Sequence, residues 1–495
     1  MRRSPISLRG LVAMLALAPA FALAPPSALS PEVRASLSEV CHSAKLGNGS
    51  AGVLVLAAGQ RDRAADAFNL LPYEPAQRPE LFAYNADQAF IPASNMKIMT
   101  TATALDVLGP DYTFTTTVRG QTGPREGTLS TLWLVGGGDP TLTMDGLRKL
   151  AAAVRAAGIT TVTGSVVADG TRYRDQHPDG WTEDDAIWYY GAEVWGLALD
   201  RNQVDVYVRP GGTVGTPAQV RVEPASTYVR VRNGVSTASA ASAPDIDWDH
   251  DVAARELVVR GSVPNRTGGV WTQGMAVPDV PLYCATVFTA MLKAAGVQVS
   301  GQPQAGTAPA DATQVAKLDS PPLSSVIVRL MKRSDNLYAE MLNRELGHKV
   351  SGVGSASAGA AVVLDFVRRQ GIATDRLRIV DGSGLARTAN LTPRAIAGVL
   401  RAMTVHAARQ PWWEALPIAG VDGTLANRLK GTAAEGNARA KTGTLTGRTS
   451  LSGYVTNRSG DLLIASTVFN GFTCSSAETR ALHDRIFAAL AGWRR

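Results

Sequence analysis

Between about Thr113 and Val280 the chain changes its hydrophobic period, and afterwards it changes back. Inside that stretch short apolar runs recur at 131–135, 162–167, 203–208, 220–231 and 257–263, separated by Gly, Pro, Asn and Asp. Short runs punctuated by turn formers predict strands. Only 144–157 reads as a clear helix there, and 234–244 reads as a low-complexity surface loop. On both sides of the block helical spacing dominates. Such a block predicts an inserted, mostly β unit that interrupts another fold.

The interrupted frame has its own pattern. Val53-Leu54-Val55-Leu56, 81–84 and 89–91 read as strands, and Pro92 opens a helical stretch to about 108 that Gly109-Pro110 ends. Helices return at 282–295, 323–345, 358–370 and 393–408. Strands follow at 438–445, 451–455 and 462–469, with Asn457-Arg458-Ser459-Gly460 as a hairpin turn. The amphipathic segment 477–493 is expected to pack on a sheet; docking on a membrane is the sharper alternative. The N-terminal strands and the C-terminal hairpin are predicted to share one sheet with helices on both sides. The fold class is therefore α/β in the α+β sense, with one unit at 25–118 and 282–495 and an inserted unit at 119–281.

With 45% apolar and 18% charged residues among 495, the chain is neither disordered nor fibrous. Arg2, Arg3 and Arg9 precede an apolar stretch at 11–24, which reads as a signal peptide over 1–24, cut after Ala22 or Ala24. No other run is long enough to cross a bilayer. The formal charge of +7 comes without a basic cluster interleaved with aromatics, so nucleic acid is not an expected partner. Cys41, Cys284 and Cys474 allow one disulfide and a free thiol, with the pairing open. The six histidines show no ligand spacing and no H-E-x-x-H, which disfavours a metal site.

Three short motifs carry chemistry. In Ser94-Asn95-Met96-Lys97, positions i and i+3 share a helix face, so a serine hydroxyl and a lysine amine can meet. Such a serine needs a base to take its proton, and a lysine can serve once burial or a second cation lowers its pKa. Ser334-Asp335-Asn336 offers a hydroxyl to relay a proton and an amide to hold a carbonyl. Lys441-Thr442-Gly443-Thr444 falls on a predicted strand, where Gly is expected to leave room for substrate and Lys with Thr to bind a carboxylate. Chance supplies Lys-Thr-Gly fewer than about 0.1 times in a chain like this. Lysine is also scarce, 9 against 40 arginines, yet two of the nine stand in these motifs. Arginine could not replace Lys97 as a base, because a guanidinium keeps its proton.

In this order the motifs resemble those of the D-alanyl-D-alanine carboxypeptidase/endopeptidases, the class C low-molecular-mass penicillin-binding proteins. Further similar segments are Pro92-Ala93-Ser94, Leu108-Gly109-Pro110-Asp111-Tyr112, Gly137-Gly138-Asp139-Pro140-Thr141-Leu142, Asp381-Gly382-Ser383-Gly384-Leu385 and Gly420-Val421-Asp422-Gly423-Thr424-Leu425. The 240 residues from Ser94 to Ser334 exceed the interval of a serine β-lactamase and match the family's inserted domains.

The resemblance implies a penicillin-binding, serine β-lactamase-like transpeptidase domain, an antiparallel sheet flanked by helices, with a large mostly-β insert. It implies Ser94 as acyl-enzyme nucleophile, Lys97 as its base, Ser334 as proton relay and Asn336 as a holder of the acyl part. Lys441 and Thr442 would bind the terminal carboxylate, with Lys441 protonated and Lys97 neutral. The backbone N–H groups of Ser94 and Thr444 would form the oxyanion hole. Asp185, with Asp184 beside it, would meet the side chain of a peptidoglycan stem peptide; a solvated acidic loop is the plainer alternative. The implied protein is a bacterial serine DD-peptidase, secreted into the periplasm or cell wall, inhibited by β-lactams and using no cofactor or metal. The rivals are a β-lactamase and a cell-wall-binding protein with a vestigial site.

Overall fold

The strand Ser50–Arg61 is apolar at consecutive positions because helices cover both of its faces. It belongs to a computed structural model that describes residues 25–61, 68–73, 79–225, 228–251 and 254–495. The expected signal segment, 1–24, lies outside the described residues. Leu54, Leu56 and Ala58 join a core with the helices Met96–Val107 and Pro393–Met403. Val53, Val55 and Ala57 join another with the helices Pro31–Cys41 and Ser476–Gly492. A period of two assigns alternate residues to opposite faces.

The sheet is antiparallel and runs Arg439–Leu445, Arg448–Thr456, Asp461–Asn470, Ser50–Arg61, Leu70–Pro72, with Glu80–Tyr84 also paired to Ser50–Arg61. Ser50 stands opposite Asn470 and Gln60 opposite Asp461, so the two ends of the chain share one sheet. This is the helix-flanked antiparallel sheet that the sequence pattern predicts. Arg439–Leu445 lies at its edge, open to the cleft described below. The amphipathic C-terminal helix spends its apolar side on the sheet.

The β-rich block forms a seven-stranded sheet and two three-stranded ones around a separate core. The helix Val280–Ala294 and the strand Thr313–Asp319 pack with this block, although the sequence suggests a boundary at 281. The reason is that Tyr283, Phe288 and Leu292 are fully buried in its core, while Thr313–Asp319 pairs with Thr115–Thr122. Part of the expected loop at 234–244 is instead strand, since Arg230–Ala238 pairs in parallel with Glu256–Pro264. Among the described residues, no single helix is long and apolar enough to cross a membrane. All three cysteines are free thiols, and Cys41 and Cys284 sit in different cores.

The expected helix at 323–345 is two helices, Leu323–Arg333 and Asn336–Ser351. Ser334 takes a left-handed conformation, φ 58°, and ends the first. Asp335 starts the second by accepting a hydrogen bond from Tyr338 N at 3.3 Å, as N-capping carboxylates do. The apolar spacing runs on across the break, which hides it from the periodicity. Deeper in the second helix the fully buried Glu345 accepts from Tyr112 Oη at 2.6 Å, Tyr173 Oη at 2.8 Å and Arg172 Nη2 at 2.7 Å. These bonds staple the helix to the block.

Candidate active site

Ser94 stands in the single turn Ala93–Asn95 that leads into the helix Met96–Val107. Ala93 before it has φ 48°, a costly conformation for a residue with a Cβ. Bonds to the edge strand and to its neighbour Arg448–Thr456 hold the turn there. Asn95 Nδ2 donates to the Lys441 carbonyl at 2.9 Å, and Ser450 Oγ donates to the Pro92 carbonyl at 2.8 Å. A Cβ on Gly443 would lie 2.9 Å from Pro92 O and 3.0 Å from Ser94 N. Gly443 thus makes room first for the backbone of the serine turn, a closer constraint than the substrate clearance the sequence suggests.

Lys97 is fully buried, and its Nζ lies 2.9 Å from Ser94 Oγ, 2.7 Å from Asn336 Oδ1 and 2.8 Å from the Ser383 carbonyl. Burial pulls its pKa down to about 8, against the carboxylates of Asp381, Glu340 and Asp335, which hold it up. A neutral amine has two N–H groups and one lone pair. It can donate to Asn336 and Ser383 while its lone pair faces the Ser94 hydroxyl, the arrangement a base requires.

The loop behind Lys97 is built around buried carboxylates. Asp381 accepts from Gly384 N at 3.0 Å, Ala386 N at 2.8 Å and Trp181 Nε1 at 3.1 Å. Glu340 accepts from Gly382 N at 3.0 Å, Ser383 N at 2.8 Å and the fully buried Arg344 at 2.9 Å. Gly384, φ 79°, passes so close to the Ala93 carbonyl that a Cβ would collide with it. The Asp-Gly-Ser-Gly-Leu run is visible in the sequence, but nothing there says that it delivers the Ser383 carbonyl to Lys97.

Lys441, also fully buried, donates to Ser334 Oγ at 2.8 Å and to the Thr442 carbonyl at 2.8 Å. Burial, and then the like charge of Lys97, push its pKa well below the usual lysine range. The expected division of charge, Lys441 protonated and Lys97 neutral, is therefore not built into the protein alone. Three carboxylates act on Lys97, whereas the charge acting on Lys441 is another cation. A carboxylate brought to Lys441 would draw the proton there and leave Lys97 free as a base. Thr442 Oγ1 is fixed by Thr424 Oγ1 at 2.8 Å, and Thr444 is exposed on the same strand.

These residues surround a cleft of about 440 Å³ whose lining includes Ser94, Asp185, Ser334, Asn336, Thr442 and Thr444, with both lysines behind it. Asn336 Nδ2 donates to the Tyr190 carbonyl at 2.8 Å, so its amide is fixed at both ends. Asp185 is buried, not the solvated loop residue of the plainer reading. Its Oδ2 accepts from Arg387 at 2.7 Å, Thr182 N at 2.9 Å and Thr182 Oγ1 at 2.7 Å. Arg387 and these bonds hold its pKa low despite burial, which opposes them. Arg387, Arg201 and Thr424 also line the cleft; Thr424 falls in the Gly420–Leu425 run singled out in the sequence, while no local pattern marks the two arginines.

The model of the D-Ala-D-Ala carboxypeptidase 3 (S13) family matches residues 72–492. A D-alanyl-D-alanine carboxypeptidase of Actinomadura sp. (strain R39) is 36% identical over 434 residues, 84% of this chain and 80% of its own length. The D-alanyl-D-alanine carboxypeptidase DacB of Haemophilus influenzae is 27% identical over 412 residues, 80% of this chain and 84% of its own. In fold, the chain is similar to the crystal structure of penicillin binding protein 4 (dacB) from Haemophilus influenzae. The TM-score is 0.80 at 24% identity, over 92% of this chain and 98% of that one.

Proposed function

Because the chain belongs to the D-Ala-D-Ala carboxypeptidase 3 (S13) family and is a serine carboxypeptidase by that kinship, we propose that the cleft between Ser94 and Lys441 cleaves D-Ala-D-Ala ends of peptidoglycan stem peptides. The observation that carries the residue assignment is the 2.9 Å contact between Ser94 Oγ and the buried, depressed Lys97 amine.

The terminal carboxylate docks on Lys441 and Thr442 and holds the proton on Lys441. Lys97 takes the Ser94 proton as Oγ attacks the penultimate carbonyl. The oxyanion rests on the N–H groups of Ser94 and Thr444. Ser334, bonded to Lys441, relays the proton that Lys97 has taken on to the departing amine as the C–N bond breaks, which leaves Ser334 as a hydroxyl and Lys97 neutral. Water then hydrolyses the ester on Ser94 with Lys97 again as base. Asn336 orients the acyl part, and Asp185 faces its side chain. A β-lactam enters the same sequence, but its leaving amine stays tethered, so the ester persists.

The same chemistry extends to D-amino-acid cross-links, an endopeptidase reaction, and to a place of action outside the cytoplasmic membrane, where stem peptides are found. We assign the catalytic unit to 25–118 with the segment beyond Asp319, and the insert to the residues between, following the packing of Val280–Ala294 and Thr313–Asp319. Release of D-Ala from a short acyl-D-Ala-D-Ala peptide, compared between wild type and Ser94→Ala, is the test. Equal release by both proteins would refute the assignment.

A further inference from the structure

Next to the catalytic cleft lies a larger groove of about 680 Å³, and Arg201 lines both. Arg201 is the centre of three consecutive left-handed residues, Asp200 (φ 45°), Arg201 (φ 65°) and Asn202 (φ 56°). Asn and Asp tolerate that region through local hydrogen bonds, while arginine gains nothing from it. The turn is over-determined from below. Asn202, fully buried, accepts from Leu199 N at 2.9 Å and donates to the Glu193 carbonyl at 2.9 Å, and Asp200 N donates to the Leu142 carbonyl at 2.9 Å. Strain held in this way displays one side chain, and that side chain stands between two cavities.

The groove's lining carries three carboxylates, Asp200, Asp205 and Glu223, against two guanidiniums, Arg201 and Arg329, and the two kinds of group differ in how far they are engaged. Its carboxylates are engaged: Asp200 with Met144 N at 3.3 Å, Asp205 with Gln203 Nε2 at 3.2 Å, and Glu223 in an ion pair with Arg221. Its guanidiniums keep donors to spare. Arg201 gives Nε to Asp335 at 2.7 Å, and neither Nη makes a hydrogen bond to a described residue. Arg329 rests over the Tyr338 ring at 5.5 Å and likewise makes no hydrogen bond to a described residue. Gln203 Oε1 is buried without a partner, an acceptor that a peptide N–H would satisfy. The far wall includes Pro140, Thr141 and Leu142, part of a segment singled out in the sequence that the catalytic cleft leaves unused.

The groove meets the cleft on its acyl side, because Arg201 reaches Asp335 and the Tyr189 ring, next to Asn336 and Asp185. We propose that this groove binds the upstream part of a longer donor peptide, with Arg201 and Arg329 holding a carboxylate carried just upstream of the residue that faces Asp185. This rests on the reading of the cleft as a DD-peptidase site. Arg201 and Arg329 then determine specificity for long, anionic donors.

Three probes separate the possibilities: a short acyl-D-Ala-D-Ala peptide, a D-Ala-D-Ala-ended pentapeptide with one free carboxylate at the upstream position, and its carboxamide twin. Wild type should favour the carboxylate pentapeptide over its twin by about tenfold in kcat/KM, the scale of a charge-assisted bond, through KM rather than kcat. Arg329→Gln should erase that preference. Arg201→Lys, which keeps a cation for Asp335 but loses the fork, should reduce it. An equal kcat/KM for the two pentapeptides in wild type, or a preference that survives both substitutions, would overturn the groove. Failure of wild type to turn over the short peptide would instead overturn the DD-peptidase reading beneath it.

Discussion

Lys441 Nζ lies 2.8 Å from Ser334 Oγ, and the like charge of Lys97 helps to hold Lys441 below the usual lysine range. Two buried amines in one site titrate as a pair. In the proposed mechanism a carboxylate arriving at Lys441 would fix the remaining proton there, so that substrate itself would prepare Lys97 as the base. The division of labour between the lysines therefore depends on the ligand's charge.

The first prediction concerns pH. The base works unprotonated, and Lys97 is drawn down to about 8, so second-order acylation should rise about tenfold per unit on the acid side of that value and fall again where Lys441 loses the proton that holds the carboxylate. Asp381 is the strongest of the charges that hold Lys97 up. Removing it in Asp381→Asn lowers the lysine's pKa further and moves the acid limb to lower pH. Stopped-flow acylation by a chromogenic β-lactam across pH 6–10 checks this; a limb displaced upward would contradict the sign.

Gly443→Ala should injure the reaction through the serine turn. The added methyl meets Ser450 Oγ, Pro92 O and Ser94 N at once. A nucleophile moved by a fraction of an ångström loses on the order of 10²-fold in rate. Adding Ser450→Ala removes one of the three obstructions and should recover part of that loss, measured as acylation rate in a double-mutant cycle.

Asp185 is already paired with Arg387, the partner it would keep on meeting the substrate as we propose. An ammonium on the substrate has to share that carboxylate. Asp185→Asn should therefore cost an amine-bearing stem peptide about tenfold in kcat/KM relative to a neutral analogue, and Arg387→Gln should shift the ratio the other way. Steady-state D-Ala release from the two peptides reads both effects.

Glu345 carries a structural prediction. Its carboxylate takes both tyrosine hydroxyls and the Arg172 guanidinium in a fully buried position. Glu345→Ala leaves those donors unanswered and should lower stability by about 3 kcal/mol in urea denaturation. The partial exposure of Arg172 keeps the figure at the lower end for a broken buried pair.

Much of the site is legible in the sequence because its chemistry depends on local spacing. Ser94 and Lys97 sit one helical turn apart, and Lys441 and Thr442 are adjacent on one short strand. The break at Ser334 is not legible, since apolar spacing is the same on both sides and only the cap at Asp335 interrupts it. The roles of Glu340, Asp381 and Arg387 also escape, although Asp381 stands in a run the sequence marks, because each also bonds a group more than 40 residues away, Gly382 N, Trp181 Nε1 and Asp185 respectively. The extent of the inserted unit escapes for a related reason. The Val280–Ala294 helix is apolar enough for either core, and only tertiary contact decides which one it joins. In each case periodicity reports that a residue is buried, but not against what.

The most direct measurement is peptide mapping by mass spectrometry of penicillin-treated protein. The account predicts a single penicilloyl adduct on the peptide that contains Ser94, and none in Ser94→Ala. A wild-type protein that stays unmodified, or an adduct on another residue, would contradict it.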